Sequence, residues 1–237
     1  SYNQQGLWLL NQLMEGAPIY HSPTAAKLTG ALDVAALQKA LKTIFARHAA
    51  LRTIFKIDDG TPVQLVSDVP LDVPLIDLTE RSESDREVEA QRILGNVASL
   101  PFDLTQGPLI RAVIVRMQEQ EHLLMVNMHH IVTDGWSIGV LHRELSALYQ
   151  AYVKGQPSPL PELPIQYPDY AVWQRQELDE AADEKQLAYW KKQFATLPPV
   201  LELPTDRPRP AVQAYRAFPG AQHTLCLPKQ LTQDLKR

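Results

Sequence analysis

Residues 109–137 read LIRAVIVRMQEQEHLLMVNMHHIVTDGWS, and the architecture can be built outward from them. Leu109 to Met117 and His122 to Met128 are nearly continuous apolar runs joined by the polar turn Gln118 to Glu121, the pattern of two paired, buried strands. The second run ends in His129-His130. Asp134-Gly135 is turn chemistry, and beyond it Ile138, Leu141, Leu145, Leu148 and Tyr152 recur at helical spacing. The two histidines therefore sit where a strand ends and a helix begins, a place where loops carry reactive groups on a rigid support.

Upstream, Asp33 is placed to cap a helix running to about His48, with Val34, Leu37, Leu41, Ile44 and Phe45 on one face. Leu51 to Ile57 and Thr61 to Val66 read as strands around the hairpin turn Asp58-Asp59-Gly60. Ser84 followed by Glu87 reads as a capping box for a helix with the stripe Val88, Ala90, Ile93, Leu94 and Val97. Downstream, Tyr167 to Glu177 and Asp183 to Leu197 read as helices. Ala221 to Leu227 reads as a strand, and Pro228 opens a last helix that includes Leu231 and Leu235.

Helix, strands, helix, paired strands, helix is the order of an α/β (α+β) two-layer sandwich, a sheet covered by helices. No glycine loop of the phosphate-cradling type joins a strand to a helix, and no internal repeat is present. Twelve of the 19 prolines lie beyond residue 156, which marks connecting structure between about Pro157 and Pro210. The last helix reaches the end of the sequence unfinished, so a longer polypeptide is expected.

Composition bounds the rest. With 45% hydrophobic and 21% charged residues the 237-residue chain has material for a proper core. Twenty-three basic against 27 acidic residues give a net charge of −4 with no block of one sign, so counterion release offers no route to nucleic acid. The apolar runs fall far short of the roughly 20 residues that cross a bilayer. No membrane or nucleic-acid partner is expected, and the expected compartment is the cytoplasm. A lone cysteine, Cys226, has no second thiol for a disulfide or a zinc site.

Successive side chains on a strand point to opposite faces, so His129 and His130 divide the labour: one faces a site and the other packs. Asp134 accepts hydrogen bonds, either capping the turn or pairing with a cation. By itself the H-x-x-x-D pattern admits three readings: a turn without chemistry, a metal site, or a catalytic imidazole. The metal reading lacks a further cluster of ligands. A serine nucleophile at Ser137 lacks the G-x-S-x-G elbow.

Ordered blocks narrow these readings. Ser1-Tyr2-Asn3-Gln4-Gln5-Gly6-Leu7-Trp8-Leu9-Leu10, Arg47-His48-Ala49-Ala50-Leu51-Arg52-Thr53-Ile54-Phe55, His129 to Ser137, and Tyr167-Pro168-Asp169-Tyr170-Ala171-Val172-Trp173-Gln174-Arg175 follow one another, with Leu203 to Pro210 behind them. In this order the blocks resemble those of nonribosomal peptide synthetase condensation domains, which carry H-H-x-x-x-D-G on a chloramphenicol-acetyltransferase-like fold. One departure is Ala49, where that family usually has glutamate.

The resemblance implies a chloramphenicol-acetyltransferase-like lobe truncated before the second lobe is complete. Residues 1–176 would be the N-terminal lobe, and 177–237 the interlobe connection and start of the C-terminal lobe. It implies amide formation between a carrier-bound acyl or peptidyl thioester and the amine of a carrier-bound aminoacyl thioester, a reaction that Trp136 directly after Gly135 favours over epimerization. His130 would be the catalytic residue, as base, positioner or both. His129 would pack behind the loop, Gly135 would let the backbone approach the substrate arm, and Asp134 would form a salt bridge with Arg52.

The resemblance also implies no cofactor bound directly. The 4'-phosphopantetheine arms would be presented by upstream and downstream peptidyl carrier domains, beside an adenylation domain and the C-terminal lobe. Two alternatives remain open: another acyltransferase of the same fold, or a non-catalytic carrier-docking lobe. Trp8, Trp173 and Trp190 are expected in packing, and His21, His48, His122, His142 and His223 in structural roles.

Overall fold

The computed structural model describes residues 1–14, 18–177, 180–196, 198–199, 201–204, 206, 223 and 225–236. It divides into two compact units, Ser1–Pro198 and Pro199–Arg237. In the second unit the described regular element is helix α7, Lys229–Leu235, with Pro228 at its N-cap.

The first unit is built on a four-stranded sheet in the order β1-β6-β5-β4, with β1 His21–Thr29, β4 Leu75–Asp77, β5 Ile110–Gln118 and β6 Glu121–His129. Strand β6 is antiparallel to both β1 and β5, and β4 runs parallel to β5. Side chains alternate along β5 as strand geometry demands. Ile110, Ala112 and Ile114 join a core with helices α2 (Val34–Arg47) and α4 (Gly135–Val153), while Val113, Val115 and Met117 join a second core under α3 (Glu83–Ser99). The helix-on-sheet layering expected from the pattern is borne out, with α3 on the opposite face.

Several local expectations hold closely. Asp33 caps α2 by accepting from the Ala36 N–H at 2.9 Å. Strands β2 (Thr53–Asp58) and β3 (Thr61–Val66) form a separate hairpin in which Asp58 pairs with Thr61. Asp59 and Gly60 between them both have positive φ, 45° and 75°, as a two-residue loop matching the right-handed strand twist requires. Leu51 and Arg52, expected in the strand, belong instead to a 3₁₀ turn, Ala49–Arg52.

Other expectations shift. Helix α3 is capped by Ser82, not Ser84: Ser82 accepts from the Asp85 N–H, and Glu83 and Asp85 place carboxylates at the positive end of the helix. Val88, assigned to its buried stripe, is 68% exposed. Helix α5 spans Tyr167–Glu177 as expected, and α6 runs Glu180–Gln193, starting and ending before the span its apolar spacing suggests. Of the strand expected over 221–227, residues 221, 222 and 224 lie outside the described residues, and the others have no strand pairing. Leu197, residue 205 and residues 207–210 of the proline-rich block also lie outside them.

Strands β1 and β4 carry no clear sequence signal, and α1 (Tyr2–Leu13) carries only a cap pattern at its start. Strand β1 contains Pro23 and few large apolar residues, a composition that lowers strand propensity. It is tolerated because β1 is an edge strand bonded on one side.

Candidate active site

The turn from β6 into α4 carries the site. Backbone bonds fix it first: His129 N–H to Leu109 O at 3.0 Å, His130 N–H to Tyr20 O at 2.7 Å and Val132 N–H to His129 O at 3.0 Å. The two histidines then part, as strand alternation requires. His129 is buried, 1% exposed, among the rings of Tyr20, His21 and Phe102. His130 is exposed and lines a cleft of about 830 Å³.

That cleft is lined by Gln4 and Leu7 from α1, Ile44 and His48 from the end of α2, Met128 and His130 to Asp134 from the turn, Val140 and Leu141 from α4, and Tyr167 from α5. Its walls are mainly apolar, with the imidazole as a polar group among them. A more polar depression of about 670 Å³, between Thr79, Arg86, Arg116 and Glu119, holds none of the motif residues.

The His129 ring is a structural part. Its Nδ1 accepts from the Ile131 N–H at 3.0 Å, which places the ring proton of the neutral form on Nε2. Burial, with smaller contributions from the neighbouring His21 and His130, lowers its pKa from 6.5 to about 4. Neutral and fixed, it suits the packing role expected of it. His21 is likewise shifted down by burial, partly offset by its bond to the Ala98 carbonyl.

Asp134 caps α4. Its Oδ1 accepts from the Ser137 N–H at 2.8 Å and the Ser137 hydroxyl at 2.6 Å, and these bonds hold its pKa below the ordinary carboxylate value. Ser137 is thus the partner of Asp134. Gly135 opens the helix, and a Cβ built on it meets nothing within 4 Å, so open space rather than packing adjoins it.

The expected Arg52–Asp134 salt bridge is not formed. Arg52 NH1 lies 3.7 Å from Asp68 Oδ1. The bond from the Ser67 N–H to the Arg52 carbonyl, 2.8 Å, brings the end of the β2–β3 hairpin alongside Arg52 and supplies that carboxylate, while the Asp134 carboxylate is engaged by its own helix. Arg47 and His48 of the same block pair instead with Glu144 on α4, at 3.3 and 2.7 Å. This largely buried cluster ties α4 to α2.

Gln4 has a role that its place in the opening block does not disclose. It is buried at 4% exposure, and its Nε2 donates to the Ile131 carbonyl at 3.0 Å. The available signal in the sequence is Ser1-x-x-Gln4, a capping box that the structure forms in full. Among the aromatics, Trp8 packs against the core, while Trp173 and Trp190 are 55% and 53% exposed. Among the described residues no group of three or more His, Cys, Asp or Glu is arranged to hold a metal ion, and no helix is long and apolar enough to cross a membrane.

Known proteins share both the sequence and the fold. The family model described as Condensation domain matches residues 1–237. One of the linear gramicidin synthase polypeptides of Brevibacillus parabrevis is 47% identical over 240 residues, covering 100% of this chain and 3% of its own length. Malpibaldin synthetase of Mortierella alpina is 45% identical over 236 residues, covering 100% of this chain and 4% of its own length. The X-domain structure solved as a complex with OxyB from teicoplanin biosynthesis is 33% identical with a TM-score of 0.75, over 88% of this chain and 46% of that one. The starter condensation domain of rhizomide synthetase RzmA, 23% identical with a TM-score of 0.74 over 81% of this chain and 47% of that one, shares the fold. This chain thus spans a few per cent of the two synthetases and about half of each solved chain.

Proposed function

Since the chain belongs to the condensation-domain family, whose model matches it from end to end, we propose that it forms an amide bond within a nonribosomal peptide synthetase. The donor is an acyl or peptidyl thioester and the acceptor is the amine of an aminoacyl thioester. Both arrive on the 4'-phosphopantetheine arms of upstream and downstream peptidyl carrier domains. Residues 1–176 are the N-terminal lobe and 177–237 the connection and start of the second. The enzyme works in the cytoplasm beside an adenylation domain.

The carrying observation is the divergence of the two histidines: His129 is buried, and His130 stands exposed on an apolar cleft with its backbone N–H bonded to Tyr20. An α-amino group has a pKa of about 7.7 to 8.0, so much of the acceptor is already neutral near pH 7.5. What remains is to align it and remove a proton after attack. As the amine nitrogen bonds to the thioester carbon, the positively charged nitrogen transfers its proton to the neutral imidazole of His130. The C–S bond then breaks, and the departing thiolate takes up a proton from the imidazolium. Asp134 and Gly135 support this step by fixing the start of α4 and leaving open space beside it for the arm.

The test is His130→Ala in the complete two-lobe domain with loaded donor and acceptor carriers, reading dipeptidyl thioester. Product formation is expected to fall by about 10²-fold or more, with unchanged carrier binding; undiminished product removes His130 from the mechanism. A wild-type domain that binds carriers without turnover supports the docking reading instead.

A further inference from the structure

We propose that Gln4 is a positioning residue for His130, acting through the Ile131 carbonyl; the inference rests on the reading of His130 given above. Gln4 is the buried residue of α1, and a buried amide needs partners. Its two ends do different work. Oε1 accepts from the Ser1 nitrogen at 3.0 Å, completing the helix cap. Nε2 reaches across 127 positions of sequence to the Ile131 carbonyl, a bond that capping does not require.

Ile131 directly follows His130, and both polar groups of its backbone are held by buried side chains: the N–H by His129 Nδ1 and the C=O by Gln4 Nε2. With the His130 N–H on the Tyr20 carbonyl, three separate elements set the direction in which the His130 side chain leaves the backbone. The Gln4 bond ties that direction to α1. Helix α1 is in turn joined to α5 by Tyr2 N–H to Gln174 and by Arg175 to Gln5 Oε1, at 3.1 and 2.7 Å. A carbonyl freed of its donor lets the peptide after His130 rotate, and an imidazole displaced by a fraction of an ångström serves a reacting amine poorly.

Gln4→Glu separates the two tasks. A carboxylate still accepts from Ser1 and keeps the cap, but it sets an acceptor against the Ile131 carbonyl; once protonated, it donates there again. In the complete two-lobe domain with saturating loaded carriers, the variant's single-turnover rate relative to wild type is expected to be about tenfold down at pH 8, the scale of one hydrogen bond. Burial of the position raises the carboxyl's pKa, so the ratio should recover towards wild type as the pH falls to 6, with carrier affinity unchanged. A cap-only role leaves that ratio flat with pH.

A second measurement is free of turnover. With histidine ring carbons labelled, His130 is expected to give one narrow resonance in wild type and a broadened or split one in Gln4→Glu at pH 8. A wild-type rate together with a wild-type resonance at pH 8 overturns the proposal. If Gln4→Glu fails to fold at pH 8, Gln4→Met is compared with Ser1→Ala, which weakens the cap and leaves the Ile131 bond in place: a rate loss confined to Gln4→Met supports the proposal, and equal rates in the two variants overturn it. A wild-type domain that makes no amide removes the functional reading alone, because the resonance comparison still decides the role of Gln4.

Discussion

Burial of His129 makes the stability of this chain depend on pH in a defined window. The folded-state pKa is about 4 against 6.5 for the free side chain, so between these values the unfolded chain binds the proton more readily. Stability is therefore fully present above 6.5 and is lost as the pH falls towards 4. Over the interval from pH 7.5 to 4.5 the loss is about 2.5 kcal/mol. His21 and His122, whose pKa values are also lowered by burial, act in the same direction. The lowered carboxyls Asp77, Asp103 and Asp134 cost stability chiefly below their ordinary value near 3.8, and Glu89 below 4.5, changes that are common to the wild type and a variant at His129. His129→Gln isolates the contribution of this one ring: its side-chain oxygen can still accept from the Ile131 N–H, and it does not titrate. Urea midpoints followed by tryptophan fluorescence should fall with acidification by about 1 M more in the wild type than in the variant, for a slope of about 2–3 kcal/mol per molar. Parallel curves for the two proteins would refute the assignment of the buried, neutral ring.

Gly135→Ala is expected to melt at or slightly above the wild-type temperature, because its Cβ meets nothing within 4 Å and alanine suits a helix by about 0.5–1 kcal/mol better. Amide formation in the complete domain should nevertheless fall if the substrate arm uses that space, and calorimetry beside a product assay separates the two effects. Asp134→Ala should cost about 1 kcal/mol as a lost helix cap, with Asp134→Asn milder. In a double-mutant cycle with Arg52→Ala the two stability effects should add, since Arg52 faces Asp68; measurable coupling would restore the expected salt bridge.

What is legible in the sequence follows from the kind of force each feature obeys. The α2 and α4 helices, the β5–β6 pair and the β2–β3 turn are readable because their apolar spacing and turn residues report local geometry directly. The opposite fates of His129 and His130 are readable for the same reason, as a consequence of strand alternation. Strand β1 escapes because pairing with β6, not its own composition, makes it a strand. The α3 cap is ambiguous by two residues because Ser82-x-x-Asp85 and Ser84-x-x-Glu87 compete at equal spacing.

The site's polar partnerships belong to a third class. The motifs bring Arg52 and Asp134 to mind together, yet Asp134 turns its Oδ1 to the two donors of Ser137 at the start of its own helix, and the hairpin delivers Asp68 to Arg52 through a backbone bond at Ser67. Gln4 and Ile131 are equally remote in sequence, and neither stands out by periodicity: one is a polar residue on a helix, the other an apolar residue in a turn. Periodicity reports where apolar surface goes, because that force is non-directional. A long-range hydrogen bond is directional and is decided by where the backbone finally lies. The residues that hold His130 in place are thus of the kind that sequence pattern conceals, while His130 itself, fixed by strand alternation and motif position, is of the kind it reveals.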